Sequence, residues 1–307
     1  MRRLSFFLVG PGAVGLTFAS ALVRAGHRCV GVEASSSSHL ARSRRLLKVP
    51  TSRMSRRSPF DLMILAIPDD RIGEVARAWA GRASWRGKFA FHTSGALSST
   101  ELKPLQKRGA FVASVHPLSS LPKPNAGKGA LRGVSFGLEG NPRACRLAAR
   151  LVGEMEGHVL LIPRSSKPAY HLSACLASGY LLTLLSIAAE LMHQRAGIGR
   201  EPSRRALLRL AAGSVENASR LGIANSLTGP LVRGDLVTLR RHLRLLQRSP
   251  HDLKALHDIL ATRMLEILQR EGRIRSSNAA EPLRLLALAS RTRRNPVRRR
   301  VGLGGDR

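Results

Sequence analysis

The chain begins with a short apolar strand, Leu4–Val9, which runs directly into a turn with the spacing G-x-G-x-x-G. The turn opens an apolar-faced helix, Ala13–Ala25, and a second strand, Arg28–Glu33, follows. A strand, a glycine turn, a helix and a second strand in this order form the first part of a dinucleotide-binding fold. This stretch therefore predicts a pyrophosphate site at the start of the helix.

The glycines of the turn are expected to have different functions. Gly10 permits the tight turn, Gly12 has no Cβ and lets phosphates approach the backbone, and Gly15 lets the helix lie close to the strand. The helix N-terminus contributes free N–H groups and the positive end of its dipole. An acid about 20 residues after the glycines is placed to bind the ribose hydroxyls. The cofactor residues predicted here are Gly10, Gly12, Ala13, Val14, Gly15 and Glu33.

Strand-like segments alternate with helical segments up to about residue 163. The continuous apolar run Phe60–Ile67 is typical of a strand buried on both faces of a parallel sheet. Further strands are expected at 88–91, 110–115, 133–137 and 158–162. After residue 163 the apolar residues follow helical periodicity instead, over 166–195, 201–221, 236–247, 251–271 and 279–290.

These patterns predict an α/β fold with an N-terminal doubly wound Rossmann sheet and an all-helical C-terminal domain. The expected domains are a dinucleotide-binding domain at 1–163 and a helical substrate and dimerisation domain at 164–290. A basic tail at 291–307 contains Pro296 and ends in glycine-rich sequence, so it is expected to be disordered.

Charge and cysteine content bear on the compartment and the partners. The chain has 51 Lys and Arg against 19 Asp and Glu, a net charge of +32, which attracts nucleic-acid phosphates. The arginines are spread over every segment, aromatic residues are only 4%, and no nucleic-acid motif is present. We therefore expect weak, nonspecific binding at low salt and no specific nucleic-acid partner.

Three scattered cysteines without zinc or disulfide spacing indicate a reduced, cytoplasmic protein.

Two apolar segments have a membrane or export interpretation as well. Arg2 and Arg3 before an apolar run, with small residues at Ala19–Ala21, resemble a secretory signal, but a Gly-Pro-Gly break interrupts the run. The run Leu172–Ala189 has no charged residue and reaches the lower length of a membrane span. Its serines, threonine and tyrosine favour a buried central helix of a helical domain, so no membrane partner is expected.

The carboxyl ends of the predicted strands indicate where further ligand contacts lie. Ligands of open α/β sheets bind beyond these ends. We expect Pro68, Ser94, Gly95 and His116 to line this edge, with Ser94 and His116 near the reactive end of the cofactor. The alternative for His116 is a turn residue held in place by Pro117.

A second cluster begins the helical region. Lys167 and His171 are four residues apart and share a face if both are helical, although Pro168 makes Lys167 a helix-start residue. A Lys or His beside a nicotinamide can protonate a carbonyl oxygen as hydride arrives. The alternative is a solvated lysine and a helix-capping histidine. Farther along, Arg233 and Asp235 either pair with each other or leave Arg233 to bind a substrate carboxylate.

Six segments in order carry a family resemblance over roughly residues 4–290. The sequence resembles the predicted oxidoreductases that join a Rossmann-like domain to a helical domain of unknown function, DUF2520. These belong to the wider 6-phosphogluconate dehydrogenase-like group, with ketopantoate reductase, pyrroline-5-carboxylate reductase and the β-hydroxyacid dehydrogenases. The segments are Gly10–Gly15, Ile67–Asp70, His92–Ala96, Ser114–Leu118, Lys167–His171 and Leu227–Asp235.

The resemblance implies hydride transfer between NAD or NADP and a small C=O or C=N substrate, in a dimer formed through the helical domain. Many of the hydroxyacid enzymes place a catalytic lysine on the first helix of that domain, where Lys167 stands. They have asparagine four residues later, where this chain has His171. The resemblance thus implies Lys167 as the acid or base and His171 in support.

Two questions stay open at the level of sequence. Glu33 favours NAD because it repels a 2′-phosphate, whereas Ser35–Ser38 and Arg42 are placed to bind that phosphate. The alternative to an enzyme is a dinucleotide-binding sensor, which needs the glycine turn but neither Lys167 nor His171. A third possibility is a protein that binds nucleic acid through its arginine excess, which steep salt dependence would reveal.

Overall fold

A computed structural model describes residues 3–49, 60–125, 127, 129–249 and 251–291. The chain forms two compact units, Met1–Leu184 and Leu185–Arg307. The predicted boundary after residue 163 stays a prediction, and the first unit includes the opening of the predicted helical region. The predicted disordered tail beyond residue 291 and the second half of the basic run Arg42–Arg57 lie outside the described residues.

Within its described residues, the first unit is built on a sheet of seven strands, in the order β2-β1-β3-β4-β5-β6-β7. The strands are β1 Ser5–Val9, β2 Arg28–Glu33, β3 Leu62–Leu65, β4 Phe89–His92, β5 Phe111–Pro117, β6 Ser135–Gly140 and β7 His158–Leu161. Its helices are α1 Ala13–Arg24, α2 Ser37–Leu47, α3 Asp69–Ala80, α4 Lys103–Gln106, α5 Pro142–Glu154 and α6 Lys167–Cys175. The α/β fold and the Rossmann-type sheet are confirmed.

The sheet is covered on both faces, which explains its continuous apolar strands. On one face, Phe6 and Leu8 of β1 share an apolar cluster with Leu16 of α1. On the other face, Phe7 packs against Trp79 of α3, with ring centroids 5.0 Å apart. Burying one such side chain contributes about 1.5–3 kcal/mol, so alternation along β1 fixes which helix covers which face.

The strand β6 departs from the doubly wound pattern, because it pairs antiparallel with β5. Parallel neighbours need a crossover connection, usually a helix. Between Pro117 and Ser135 the described residues form turns and loops and no helix, so the chain returns in the opposite direction. The helix α5 then supplies a crossover, and β7 pairs parallel with β6. Asn141 caps α5 by accepting from the N–H of Arg143, and Pro142 occupies the first turn, where its missing N–H has no helical partner to lose.

The second unit is helical. Helix α7, Leu181–Ala196, crosses the boundary of the two units, and Gly222 ends α8 with a φ of +80°. Leu239, Leu243 and Leu265 belong to the apolar core of this unit. The helices are α8 Arg200–Leu221, α9 Ile223–Ser226, α10 Pro230–Arg233, α11 Leu236–Gln247, α12 His251–Arg270 and α13 Ser276–Arg291.

The apolar run Leu172–Ala189 is helical, but the prediction that it forms a buried central helix is wrong. Leu172, Leu176 and Tyr180 expose 53%, 56% and 58% of their surface. They lie in the continuous helical segment Arg164–Ala196, the one span in the described part of the chain long and apolar enough to cross a membrane. Apolarity predicts that a surface is covered, but not whether the same chain or another molecule covers it.

Candidate functional site

The glycine turn between β1 and α1 is tightly packed at two of its glycines and open at the third. Gly10 has a φ of +87°, and a Cβ there would lie 2.3 Å from the carbonyl oxygen of Ala66. A Cβ on Gly15 would lie 2.2 Å from the carbonyl oxygen of Gly10. At Gly12, the N-cap of α1, a Cβ would meet no protein atom within 4 Å. The fold itself thus requires glycine at Gly10 and Gly15, whereas Gly12 adjoins open space at a helix N-terminus.

The remaining predicted cofactor residues follow neighbouring strand ends. Glu33 ends β2, and its carbonyl accepts a hydrogen bond from the N–H of Gly10 at 3.0 Å. Pro68 follows β3 as the N-cap of α3. The buried Ser94 follows β4, and its hydroxyl donates to Asp69 Oδ2 at 2.8 Å. The structure thus places these residues along the carboxyl edge of the sheet.

Lys167 is buried and hydrogen-bonded to residues of two neighbouring strands, one just after β4 and one within β5. Its side chain is 1% exposed, and Nζ donates to the Ser94 carbonyl at 3.0 Å and to Ser114 Oγ at 2.7 Å. Burial lowers the pKa of the ammonium to about 8, and the charges of Glu139 and Asp69 only partly oppose this. The alternative of a solvated lysine is therefore wrong.

His171 reaches the same loop from the next turn of α6. If Gly95 carried a Cβ, that atom would lie 2.6 Å from Cδ2 of His171 and 2.9 Å from Nε2 of His116. The two imidazole rings have centroids 6.3 Å apart. Gly95 therefore lies between two histidines, and both rings pack so closely against it that a methyl group would not fit without a shift.

His116 is held by Tyr170, a residue that sequence reasoning left without a role. The phenol oxygen lies 2.9 Å from Nδ1 of His116, and the two rings are perpendicular. Burial lowers the pKa of His116 to about 4, and the charges of Lys167, His171 and His92 add to the effect. His116 is consequently neutral at physiological pH.

Two further buried side chains, His92 and Glu139, form hydrogen bonds with the loop that follows β4. The backbone N–H of Ser94 donates to Nδ1 of His92, and Nε2 of His92 lies 3.0 Å from the carbonyl of Ser98. Glu139 accepts hydrogen bonds from Ser99 and from Arg164. Burial alone would raise the pKa of Glu139, but these hydrogen bonds lower it below its usual value.

Sequence reasoning missed the supporting roles of five residues. His92 ends β4, Asp69 begins the helix that follows β3, and Tyr170 lies inside the Lys167–His171 segment, so their positions gave a signal. Ser114 and Glu139 lie within strands and gave none, because only the strand order brings them to Lys167 and Ser99. The five are Asp69, His92, Ser114, Glu139 and Tyr170.

The burial of His92 predicts acid sensitivity of the fold. Its pKa is about 4 in the folded protein against 6.5 for a free histidine, so the unfolded chain binds more protons between these values. The free energy of unfolding should therefore fall as pH decreases from about 6.5 to about 4, by at most roughly 3 kcal/mol from this residue. His116 contributes in the same direction. When urea unfolding is measured between these pH values, the free energy of unfolding should fall less steeply with decreasing pH in His92→Gln than in wild type.

The matched control is His158→Gln, because His158 is exposed. If the free energy of unfolding falls equally steeply with decreasing pH in His92→Gln and in wild type, His92 is not the cause of the acid sensitivity.

The third predicted cluster lies in the second unit. The carboxylate of Asp235 caps α11 by accepting from the N–H and the hydroxyl of Thr238. These hydrogen bonds are the main cause of its lowered pKa, and the charge of Arg233 is a lesser one. Asp235 is thus a helix cap. Among the described residues, no group of three or more His, Cys, Asp or Glu is arranged to hold a metal ion.

The models of two protein families match parts of this chain. Residues 1–117 match the Rossmann-like domain, and residues 134–264 match the domain of unknown function DUF2520. The resemblance drawn from the six sequence segments is confirmed. No curated protein matches the sequence.

Several solved structures share the fold. A candidate NADP oxidoreductase from Bacteroides fragilis is 18% identical, with a TM-score of 0.66 over 85% of this chain and 98% of its own. A pyrroline-5-carboxylate reductase from Coxiella burnetii is 14% identical, with a TM-score of 0.57 over 94% and 99%. A prephenate dehydrogenase from Aquifex aeolicus, in complex with hydroxyphenyl propionate and NAD+, is 15% identical, with a TM-score of 0.51 over 86% and 98%.

Proposed function

We propose that this chain, which joins a Rossmann-like domain to a DUF2520 domain, is an NAD(P)-dependent oxidoreductase that transfers hydride between the nicotinamide and a small C=O or C=N substrate. One observation carries the proposal: a buried ammonium, Lys167, is hydrogen-bonded to Ser94, just after β4, and to Ser114 of β5, which pairs with the last residue of β4. The glycine turn follows β1 on the same carboxyl edge of the sheet. Ligands of open α/β sheets bind at this edge.

The likeness to solved oxidoreductases supports the cofactor class. The neighbours include a pyrroline-5-carboxylate reductase and a prephenate dehydrogenase that holds NAD+. In this chain the open space at Gly12 and the N-terminus of α1 fit a pyrophosphate. Gly10, Ala13, Val14 and Gly15 complete the loop. When bound, the nicotinamide would supply or accept the hydride.

Lys167 and His171 are the acid–base residues of the proposed reaction. An ammonium has three N–H donors, and Ser94 and Ser114 accept two of those of Lys167. We assign the third to the oxygen or nitrogen of the substrate. A pKa of about 8 lies close to physiological pH, where a group can both donate a proton and regain it. His171, one turn farther along α6 and packed against Gly95, is assigned the supporting role.

The cofactor is NAD or NADP. The carboxylate of Glu33 at the end of β2 favours NAD. Ser36 caps α2 by accepting from the N–H of His39 at 3.3 Å, and the following turn carries serines that fit a 2′-phosphate. Both cofactors therefore belong in any assay.

The test is a titration with NADH and NADPH, followed by a screen of small ketones, 2-oxo acids and cyclic imines. Saturable binding with turnover of one substrate class supports the enzyme. Tight binding without turnover favours a dinucleotide-binding sensor, and absence of binding contradicts both.

We further propose that a second copy of the chain covers the apolar face of the helix at Leu172, Leu176 and Tyr180. The three are spaced by four residues and each is more than half exposed. Contiguous exposed apolar surface of this kind marks an interaction site in soluble proteins. The absence of charged residues in this run and its uncovered surface favour a homodimer.

Light scattering on the purified protein should give twice the chain mass of 33.3 kDa. Leu176→Glu should convert most of it to monomer, because a charge would be buried unpaired in the contact. Leu245→Glu is the control, on an exposed leucine of another helix. If the wild type is monomeric and co-sediments with liposomes, the dimer proposal is wrong and the apolar face binds a membrane instead.

The proposed compartment is the cytoplasm. All three cysteines are free thiols, and two of them have a pKa raised by burial. Weak, salt-sensitive nucleic-acid binding stays a prediction from the net charge of +32.

A further inference from the structure

The hydrogen bond between Tyr170 and His116 determines which ring nitrogen of His116 carries the proton. A neutral imidazole has one N–H, and its other nitrogen is an acceptor. His116 is neutral at physiological pH because burial lowers its pKa to about 4. The phenol oxygen of Tyr170 lies 2.9 Å from Nδ1 of His116, and either atom can be the donor in this pair. With the phenol as donor, the imidazole proton is on Nε2.

A glycine on the neighbouring strand keeps Tyr170 in this position. Gly137 stands opposite His116 in the β5–β6 pairing, and its N–H binds the phenol oxygen. A Cβ on Gly137 would lie 2.6 Å from that oxygen. The phenol oxygen thus lies between the backbone of β6 and Nδ1 of His116, an arrangement that favours donation by the phenol to Nδ1.

Nε2 of His116 faces the glycine loop that follows β4, and His116 is only half-buried at this edge of the sheet. A Cβ on Gly95 would be 2.9 Å from Nε2 and 2.6 Å from Cδ2 of His171, so both rings pack against this loop. A fixed N–H donor at a partly desolvated strand end can stabilise negative charge that develops on a substrate atom. A neutral donor also does so without giving up its proton.

We propose that His116 donates its Nε2–H to the oxygen or nitrogen of the substrate C=O or C=N group, and that Tyr170 is the positioning residue that keeps the proton on Nε2. The inference rests on the proposed function. In reduction, the substrate carbon receives hydride with its electron pair, and the π electrons move to the oxygen or nitrogen. The hydride would come from the bound nicotinamide, which would thereby be oxidised. Lys167 supplies the proton and regains one from water, and His116 stabilises the developing charge.

The first measurement needs neither cofactor nor substrate. Histidine-¹⁵N NMR of the whole protein distinguishes the Nε2–H, Nδ1–H and doubly protonated rings, and His116→Gln assigns the signal. We expect His116 to hold the Nε2–H form from about pH 5 to about pH 8, since its pKa lies below this range. Tyr170→Phe should mix the two tautomers. An Nδ1–H or protonated His116 in wild type at neutral pH would overturn the inference by itself.

The second measurement uses a substrate found in the screen. His116→Leu should lower kcat by about 10²–10³-fold with little change in KM for the cofactor, the effect of removing one fixed donor. His116→Gln should recover part of the rate, because its amide places an N–H near the Nε2 position. Tyr170→Phe should lose less than His116→Leu, and the double variant Tyr170→Phe/His116→Leu should lose no more than His116→Leu alone.

The two proposals fail in different ways. If neither NADH nor NADPH binds while His116 keeps the Nε2–H form, the proposed function is wrong and His116 has no substrate to polarise. If cofactor and substrate react but His116→Leu turns over as wild type does, only the role of His116 is wrong.

Discussion

Replacing Gly12 by valine should abolish the binding of NADH and NADPH while the protein still folds. The backbone at Gly12 is extended, with φ −75° and ψ −162°, and an added Cβ would meet no protein atom within 4 Å. The side chain would therefore occupy only the space where the pyrophosphate is proposed to lie. A ligand at 100 times its Kd stabilises the native state by about 2.7 kcal/mol. We expect this stabilisation to disappear in a thermal-shift titration.

The control for this prediction is Gly153→Val. A Cβ added at Gly153 would also meet no protein atom within 4 Å, but this glycine lies in α5. Valine is a poor N-cap, so Gly12→Val should lower the melting temperature slightly without ligand, by an effect of about 1 kcal/mol. The decisive quantity is thus the shift that the cofactor causes. An unchanged shift in Gly12→Val would contradict the cofactor site.

Lys167→Met should reduce turnover by about 10²–10⁴-fold, the usual contribution of a positioned acid or base. Cofactor affinity should change only a few fold, because the glycine turn is separate from Lys167. Since the pKa of Lys167 is about 8, kcat/KM for reduction in wild type should fall as pH rises through that value. This decrease of kcat/KM with rising pH should be absent in Lys167→Met. Lys167→Arg should not restore turnover, because guanidinium stays protonated.

Lys88→Met is the matched control for a partly buried lysine. Lys88 precedes β4, at the opposite end of the strand from Ser94, and burial also lowers its pKa. Its replacement should alter stability without altering turnover. A rate for Lys167→Met within a few fold of wild type, at equal cofactor saturation, would remove Lys167 from the mechanism.

The nucleotide-binding part of the fold could be predicted from residues close together in the chain. The turn at Gly10 needs a left-handed backbone, the strand before it needs apolar residues on both faces, and α1 needs only its own periodicity. Each of these is a local property, so the pattern from Leu4 to Glu33 was sufficient. The cap at Asn141 and Pro142 was predictable for the same reason.

The candidate site was only partly predictable. Strand-end positions led correctly to the edge that holds Ser94, Gly95 and His116, because all parallel strands of a sheet end at one edge. The direction of β6 was not foreseen, since strand propensity does not specify pairing. The exposure of the helix at Leu172 was also not foreseen, because an apolar sequence predicts that a surface is buried but does not specify which molecule buries it.

The sequence by itself determined the glycine turn, the alternation of strands and helices, and the set of polar residues available at the strand ends. Only the tertiary structure decided that Lys167 is buried against Ser94 and Ser114, and that Tyr170 meets His116 across 54 positions of sequence. Burial and hydrogen-bond partners set a pKa and a tautomer, and both depend on which strands lie side by side. For this reason the sequence could name candidate residues, whereas their protonation states followed from the packed sheet.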